Sequence, residues 1–142
     1  VGFPGETEED FNELCEYIAQ TEFDRLGAFT YSREEDTPAY DFENQIDEQT
    51  KQDRYDIIMR EQLHIAERKN QAFVGKRMTV LCEAYDSVAE IYYGRSAYDA
   101  PDIDTKVYFR NALGKKRIAP GAFVEVDIEE AVDYDLIGRA VV

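Results

Sequence analysis

The chain has 142 residues, with 44% hydrophobic and 33% charged side chains, room for one ordinary domain or two small ones. Its 31 acidic against 16 basic side chains leave a net charge of −15, divided unevenly: 19 against 7 over residues 1–70 and 12 against 9 over residues 71–142. These figures exclude an unfolded polyelectrolyte, a non-specific nucleic-acid binder, which needs a basic surface to displace counterions, and a bilayer span, since no apolar run approaches the roughly 18 residues required.

The first stretch, VGFPGETEEDF, reads as the end of a strand, a Pro4-Gly5 turn and a helix start. Thr7 suits the N-cap, Asp10 falls three residues on in a capping-box position, and Glu8, Glu9 and Asp10 complement the positive end of the helix dipole. Phe11, Leu14, Cys15 and Ile18 then share one apolar face of a helix running to about Gln20. FDRLGAFTYS, from Phe23 to Ser32, predicts a strand with small or apolar residues on both sides, as in a parallel sheet covered on both faces. A strand–helix–strand unit cannot form a stable parallel sheet alone, so this portion is expected to be the tail of a longer α/β barrel or sheet, ordered only marginally without its earlier strands. Loops at the carboxyl ends of such strands are where α/β proteins place ligands. Gly2-Phe3-Pro4-Gly5-Glu6 and Tyr31-Ser32-Arg33-Glu34 are two such loops.

Glu34 to Gln45 is polar, contains Pro38 and lacks periodicity, which predicts a loop. Asp47 can cap a long helix over 48–71, whose apolar face carries Tyr55, Ile58, Met59, Ile65, Ala66 and Phe73, interrupted by Gln62; Lys51, Arg54, Arg60 and Glu67 fall elsewhere on it. His64, the one histidine, stands between Arg60 and Arg68 and reads as an exposed structural residue. After Gly75 come five β-rich runs, at 76–85, 89–96, 105–110, 122–132 and 135–142, separated by turn or polar residues. Five short strands in about 70 residues suggest a small closed or partly open barrel of OB-like size. Cys15 and Cys82 lie far apart without Cys-x-x-Cys spacing and read as reduced, buried thiols of a cytoplasmic protein.

Five segments, VGFPGETEEDF, FDRLGAFTYSREEDTPA, ERKNQAFVGK, YYGRSAYDAPDID and VDYDLIGRAV, together resemble the carboxyl-terminal part of the methylthiotransferases of the radical S-adenosylmethionine class, in the family's order and over nearly the whole chain. The resemblance implies α/β plus all-β architecture: residues 1–42 as the strand–helix–strand end of the radical S-adenosylmethionine barrel, 43–71 as a linker helix, and 72–142 as a five-stranded TRAM barrel able to fold by itself. Of two branches with this layout, one modifies a transfer-RNA adenosine and the other adds a methylthio group to an aspartate of the small-subunit ribosomal protein uS12. GRSAYDAPDID, at 94–104, resembles the second, and a mildly acidic TRAM half fits a basic ribosomal protein better than RNA.

The implied enzyme uses S-adenosylmethionine and two 4Fe-4S clusters. Neither cluster's cysteine motif is present, so no catalytic or metal-binding residue is assigned and the chain alone is expected to be inactive. The resemblance leaves Gly2, Phe3, Gly5, Glu6, Tyr31 and Ser32 as candidates for contact with S-adenosylmethionine, and Arg95, Ser96, Asp99, Asp102 and Asp104 as candidates for reading the partner. In the transfer-RNA alternative, Tyr92, Tyr93, Tyr108 and Phe109 are the residues that could stack bases.

Overall fold

The computed structural model describes residues 1–100, 105–114 and 116–142; Asp102 and Asp104 of the expected partner loop lie outside the described residues. Two compact units divide the chain, Val1–Ile65 and Ala66–Val142. The long helix is shared between them.

In the first unit, α1 spans Glu8–Thr21 and is closed by a full capping box: Asp10 N–H donates to Thr7 Oγ1 at 3.1 Å, and Thr7 N–H donates to Asp10 Oδ2 at 3.0 Å. The bond from the Thr7 N–H to the ionised carboxylate, first among the causes, holds the Asp10 acid below its ordinary range. The helix ends at Glu22, whose left-handed backbone (φ 52°) lets its N–H reach Ile18 O. Phe11 and Ile18 pack against Ile58 and Ile65 of the long helix α2 (Glu48–Phe73), with Val1, Leu14, Cys15, Phe23, Leu26 and Ala28 around them.

The strand expected over 23–32 does not form a ladder. The segment is extended, and its pairing consists of Val1 N–H donating to Phe29 O (2.9 Å) and Tyr31 N–H donating to Val1 O (2.7 Å). One residue bonded to two others spaced by two is parallel-strand geometry. The direction of the predicted pair is therefore present over a single residue. The polar loop that follows contains a one-turn 3-10 helix at Pro38–Asp41.

The long helix, α2, spans Glu48–Phe73. Asp47 caps it, accepting from Thr50 N–H at 3.0 Å and Thr50 Oγ1 at 2.7 Å. His64 is exposed, as its arginine neighbours suggest. The charged face is the correction: Lys51 is 1% exposed, and Gln62 and Asn70 are 2% and 1% exposed. The stem of Lys51 packs while its head group finds acceptors, so its charge is no guide to the face it occupies.

The second unit is a closed barrel of β1 (Arg77–Asp86), β2 (Ile91–Arg95), β3 (Val107–Asn111), β4 (Phe123–Val132) and β5 (Asp135–Ala140), in the order β1-β2-β3-β5-β4. All pairs are antiparallel except β3 with β5. Alternate residues fill the interior: Val80 and Cys82, Val107 and Phe109, Val124, Val126 and Ile128, Leu136 and Ala140, with Ile118 contributed by the β3–β4 connection. Two bulges turn the sheet. One leaves Glu83 as an extra residue between the pairs Cys82↔Gly94 and Ala84↔Tyr93; the other leaves Glu129 extra between Ile128↔Gly138 and Glu130↔Ile137. Each faces a glycine that has no room for a side chain. A Cβ on Gly94 would lie 2.1 Å from Leu81 O, and one on Gly138 would lie 2.2 Å from Asp127 O.

On the outer face Arg77 grips Asp127 across β1 and β4 with two bonds, 2.6 Å and 3.1 Å. The bond from Arg77 holds the Asp127 carboxyl below its ordinary value of 3.8. A depressed acid contributes stability that is complete above that value and is lost as pH falls through the lower, folded-state value. Asp127→Asn is therefore expected to flatten the fall in urea midpoint as pH drops below about 4, relative to the parent chain. Gly94→Ala and Gly138→Ala should each cost about 2–3 kcal/mol through overpacking, read as a lower urea midpoint with an unchanged slope. A midpoint equal to the parent's would mean the strands separate freely at these corners.

Candidate functional site

The Gly2–Glu6 turn is built by its own sequence. Glu6 N–H donates to Phe3 O at 2.9 Å, closing a turn with Pro4 and then Gly5 at its centre. Gly5 has φ +86°, the conformation glycine supplies at that position of a type II turn. An added Cβ there would meet nothing within 4 Å, and Gly5 N–H is held by Asn44 O at 3.0 Å. Gly2 differs. It also has positive φ (+81°), but its missing side chain is the space Lys51 occupies: a Cβ would fall 2.3 Å from Lys51 Cγ.

The six residues expected to face the cofactor thus divide in two. Glu6 Oε1 accepts from Gly2 N–H at 3.1 Å and from Arg54 at 2.7 Å, so this carboxylate and Gly2 are engaged inside the protein. Arg54 also donates to Glu6 O at 3.1 Å and lies 5.5 Å from the Phe11 ring centre. Phe3, by contrast, is 49% exposed and meets Tyr31 edge-on at 5.2 Å and Phe42 at 6.0 Å. Tyr31 Oη is buried without a hydrogen-bond partner. The Ser32 hydroxyl donates to Glu34, and both are exposed. The structure therefore brings Phe3, Gly5 and Tyr31 together as an aromatic, partly open surface, with Ser32 next to Tyr31.

In the barrel unit, Arg95 ends β2 and Ser96 begins the loop. Asp99 organises that loop. Its Oδ2 accepts from Ser96 N–H (3.1 Å) and Ser96 Oγ (2.8 Å), and its Oδ1 accepts from Thr105 Oγ1 at 3.3 Å. Ser96 is buried. Asp99 is thus a loop-closing acid, whereas Arg95 is half-buried and lines a shallow groove of about 370 Å³ with Thr79, Leu81, Ala97 and Phe123. Phe123 is 73% exposed there. A second groove, about 790 Å³, lies between Tyr85, Tyr92, Arg110, Arg117, Ile118 and Pro120. Neither groove is legible from sequence, because each joins residues from three or more separate segments.

Of the four aromatic residues that could stack bases, Phe109 is fully buried in the barrel core, with Tyr92 stacked on it at 5.7 Å. Tyr93 and Tyr108 sit together at 6.3 Å, with Lys106 Nζ 4.3 Å from the Tyr93 ring centre. Both thiols are pushed up by burial, Cys15 aided by Glu61 and Cys82 by Glu83. Cluster ligation needs thiolates gathered together, and among the described residues no three His, Cys, Asp or Glu side chains come together. These residues do not fit an iron–sulfur cluster. No helix of the described residues is long and apolar enough to cross a membrane.

A closed five-stranded barrel, entered from a helix and bearing an Asp99-closed loop after β2, defines a small β-barrel domain of OB-like size. The family model for the TRAM domain matches residues 74–141, and this part of the chain is a TRAM domain. As a whole the chain is similar to proteins named ribosomal protein uS12 methylthiotransferase RimO. It is 47% identical to that of Acetivibrio thermocellus over 99% of this chain and 30% of the relative. It is 45% identical to that of Clostridioides difficile (97% and 30%) and 45% to that of Bdellovibrio bacteriovorus (100% and 30%). The chain spans about 30% of the length of these curated relatives.

The loop geometry has a direct test. Asp99→Ala removes every acceptor that holds Ser96, so the Ser96 amide should exchange with solvent about tenfold faster while amides of β1 and β4 keep their rates. Equal exchange at Ser96 in both proteins would show that the loop is held by other means.

Proposed function

We propose that this chain is the TRAM-bearing portion of a radical S-adenosylmethionine methylthiotransferase that modifies an aspartate of ribosomal protein uS12. The observation that carries the reading is identity of 42–47% to RimO proteins across nearly the whole chain, both units included. S-adenosylmethionine, when bound, supplies the transferable methyl group and the source of the radical that such an enzyme needs. The residues of this chain fit part of it: the half-exposed Phe3 ring and the open space over Gly5 offer an apolar plane suited to a purine, and aromatic faces attract a sulfonium. Ser32 extends that surface, while Gly2 and Glu6 shape it from behind. The two 4Fe-4S clusters belong to other parts of the enzyme, and the chain alone is inactive. Work on a ribosomal protein places the protein in the cytoplasm.

The TRAM domain docks the substrate protein. Its balance of 12 acidic against 9 basic side chains over residues 71–142 favours a cationic protein over phosphates. Arg95, Ser96 and Asp99 are partner-reading residues after β2, and Asp102 and Asp104 further along the sequence add negative charge. Titration of this chain against purified uS12 and against transfer RNA at one ionic strength tests the reading. Binding to uS12 should weaken as the Debye length falls from about 10 Å at 0.1 M to about 3 Å at 1 M salt. Asp102→Asn with Asp104→Asn should cost about 1–2 kcal/mol of affinity. Tight binding of transfer RNA with no affinity for uS12 would replace this assignment with the adenosine-modifying one, in which Tyr93, Tyr108 and Lys106 form the nucleic-acid surface.

A further inference from the structure

We infer that Lys51 and Arg54 of α2 are positioning residues that set the backbone on which S-adenosylmethionine rests. The inference builds on the proposed role of the Gly2–Glu6 turn and the Tyr31–Ser32 segment. Both ends of that surface are held by this one helix. The Lys51 ammonium donates to Tyr31 O at 3.1 Å, is balanced by Glu48 at 2.8 Å, and lies 5.2 Å from the centre of the Tyr31 ring. Its stem fills the place of a Gly2 side chain, so the same residue fixes where the turn begins and where Tyr31 stands. Arg54, three residues along, bonds both the backbone oxygen and the carboxylate of Glu6, and that carboxylate returns to Gly2 N–H.

The Arg54 and Glu6 side chains are 12% and 17% exposed. Ion pairs this enclosed bring little net stability, because desolvation of both charges offsets their attraction, and an apolar pair can replace them in packing. What an apolar pair cannot replace is direction. Four donor contacts end on the main chain or carboxylate of the two segments, and none ends on Phe3, Gly5 or the Tyr31 hydroxyl. The Phe3 ring and the space over Gly5 remain open to a ligand whose position depends on the backbone beneath them. Tolerances of about 1 Å matter at such a site, so loosening either tie should weaken cofactor binding without unfolding the protein.

The test uses the full-length enzyme with its clusters reconstituted anaerobically, and S-adenosylmethionine binding by equilibrium dialysis. Lys51→Met keeps the stem and removes the donor; Arg54→Lys keeps the charge and removes the fork. Each should raise the dissociation constant about tenfold, with melting temperature and cluster absorbance close to the parent's. The double variant Glu6→Leu with Arg54→Leu should recover the melting temperature lost in Arg54→Leu alone but not the affinity. Unchanged affinity in Lys51→Met and Arg54→Lys, or affinity recovered with stability in the double variant, would overturn the inference. Phe3→Ala separates the two claims. A loss of affinity in Phe3→Ala with none in the α2 variants leaves the cofactor surface standing and removes the positioning role; no loss in Phe3→Ala overturns both.

Discussion

Backbone carbonyls that leave regular structure must find donors, and in this protein α2 provides them. Tyr31 O takes Lys51, Glu6 O takes Arg54, Phe23 O takes Gln62 and Tyr134 O takes Asn70. An orphaned buried carbonyl costs about 1–3 kcal/mol, comparable to the burial of one aliphatic side chain. The polar residues on the buried side of this helix direct the backbone around them, while Ile58 and Ile65 beside them supply the packing. They also explain how residues 22–46, which lack strand ladders, keep a defined path: side-chain donors serve the oxygens that a neighbouring strand serves in a sheet.

The barrel meets the same demand differently. Closure pairs its strands around the circle, and the cost appears as curvature at two corners. There, an extra glutamate bulges outward and a glycine on the facing strand lets the backbones approach. Curvature delivers the end of β2 to the loop that Asp99 closes. The recognition surface proposed for the domain therefore rests on Gly94, which sits immediately before Arg95 and Ser96.

The sequence made much of this legible because local rules and the fold agree. Thr7 and Asp10 sit in a capping box, Asp47 caps α2, and the alternation of Val124, Val126 and Ile128 against Phe123, Glu125 and Asp127 runs inward and outward as the pattern demands. Where reading failed, a tertiary partner decided. Lys51 carries a charge and lies buried because a carbonyl and a glycine far along the chain receive it. Phe109 has the chemistry of a base-stacking residue but belongs to the core, since its strand neighbours Tyr108 and Arg110 take the outer positions. The span 23–32 has strand composition, yet a ladder needs a partner strand and, among the described residues, its backbone pairs along one residue, Val1. The two barrel grooves have no local signature in the sequence, because each is formed by several segments together.

The fit of Lys51 against Gly2 has an evolutionary corollary. A larger residue at position 2 collides with the lysine stem and must also adopt a backbone angle of +81° that side chains resist. A smaller residue at position 51 makes room but strands the oxygen of Tyr31. Neither change is open by itself, so the pair is epistatically locked: descendants of this sequence can leave glycine and lysine only through intermediates worse than either endpoint.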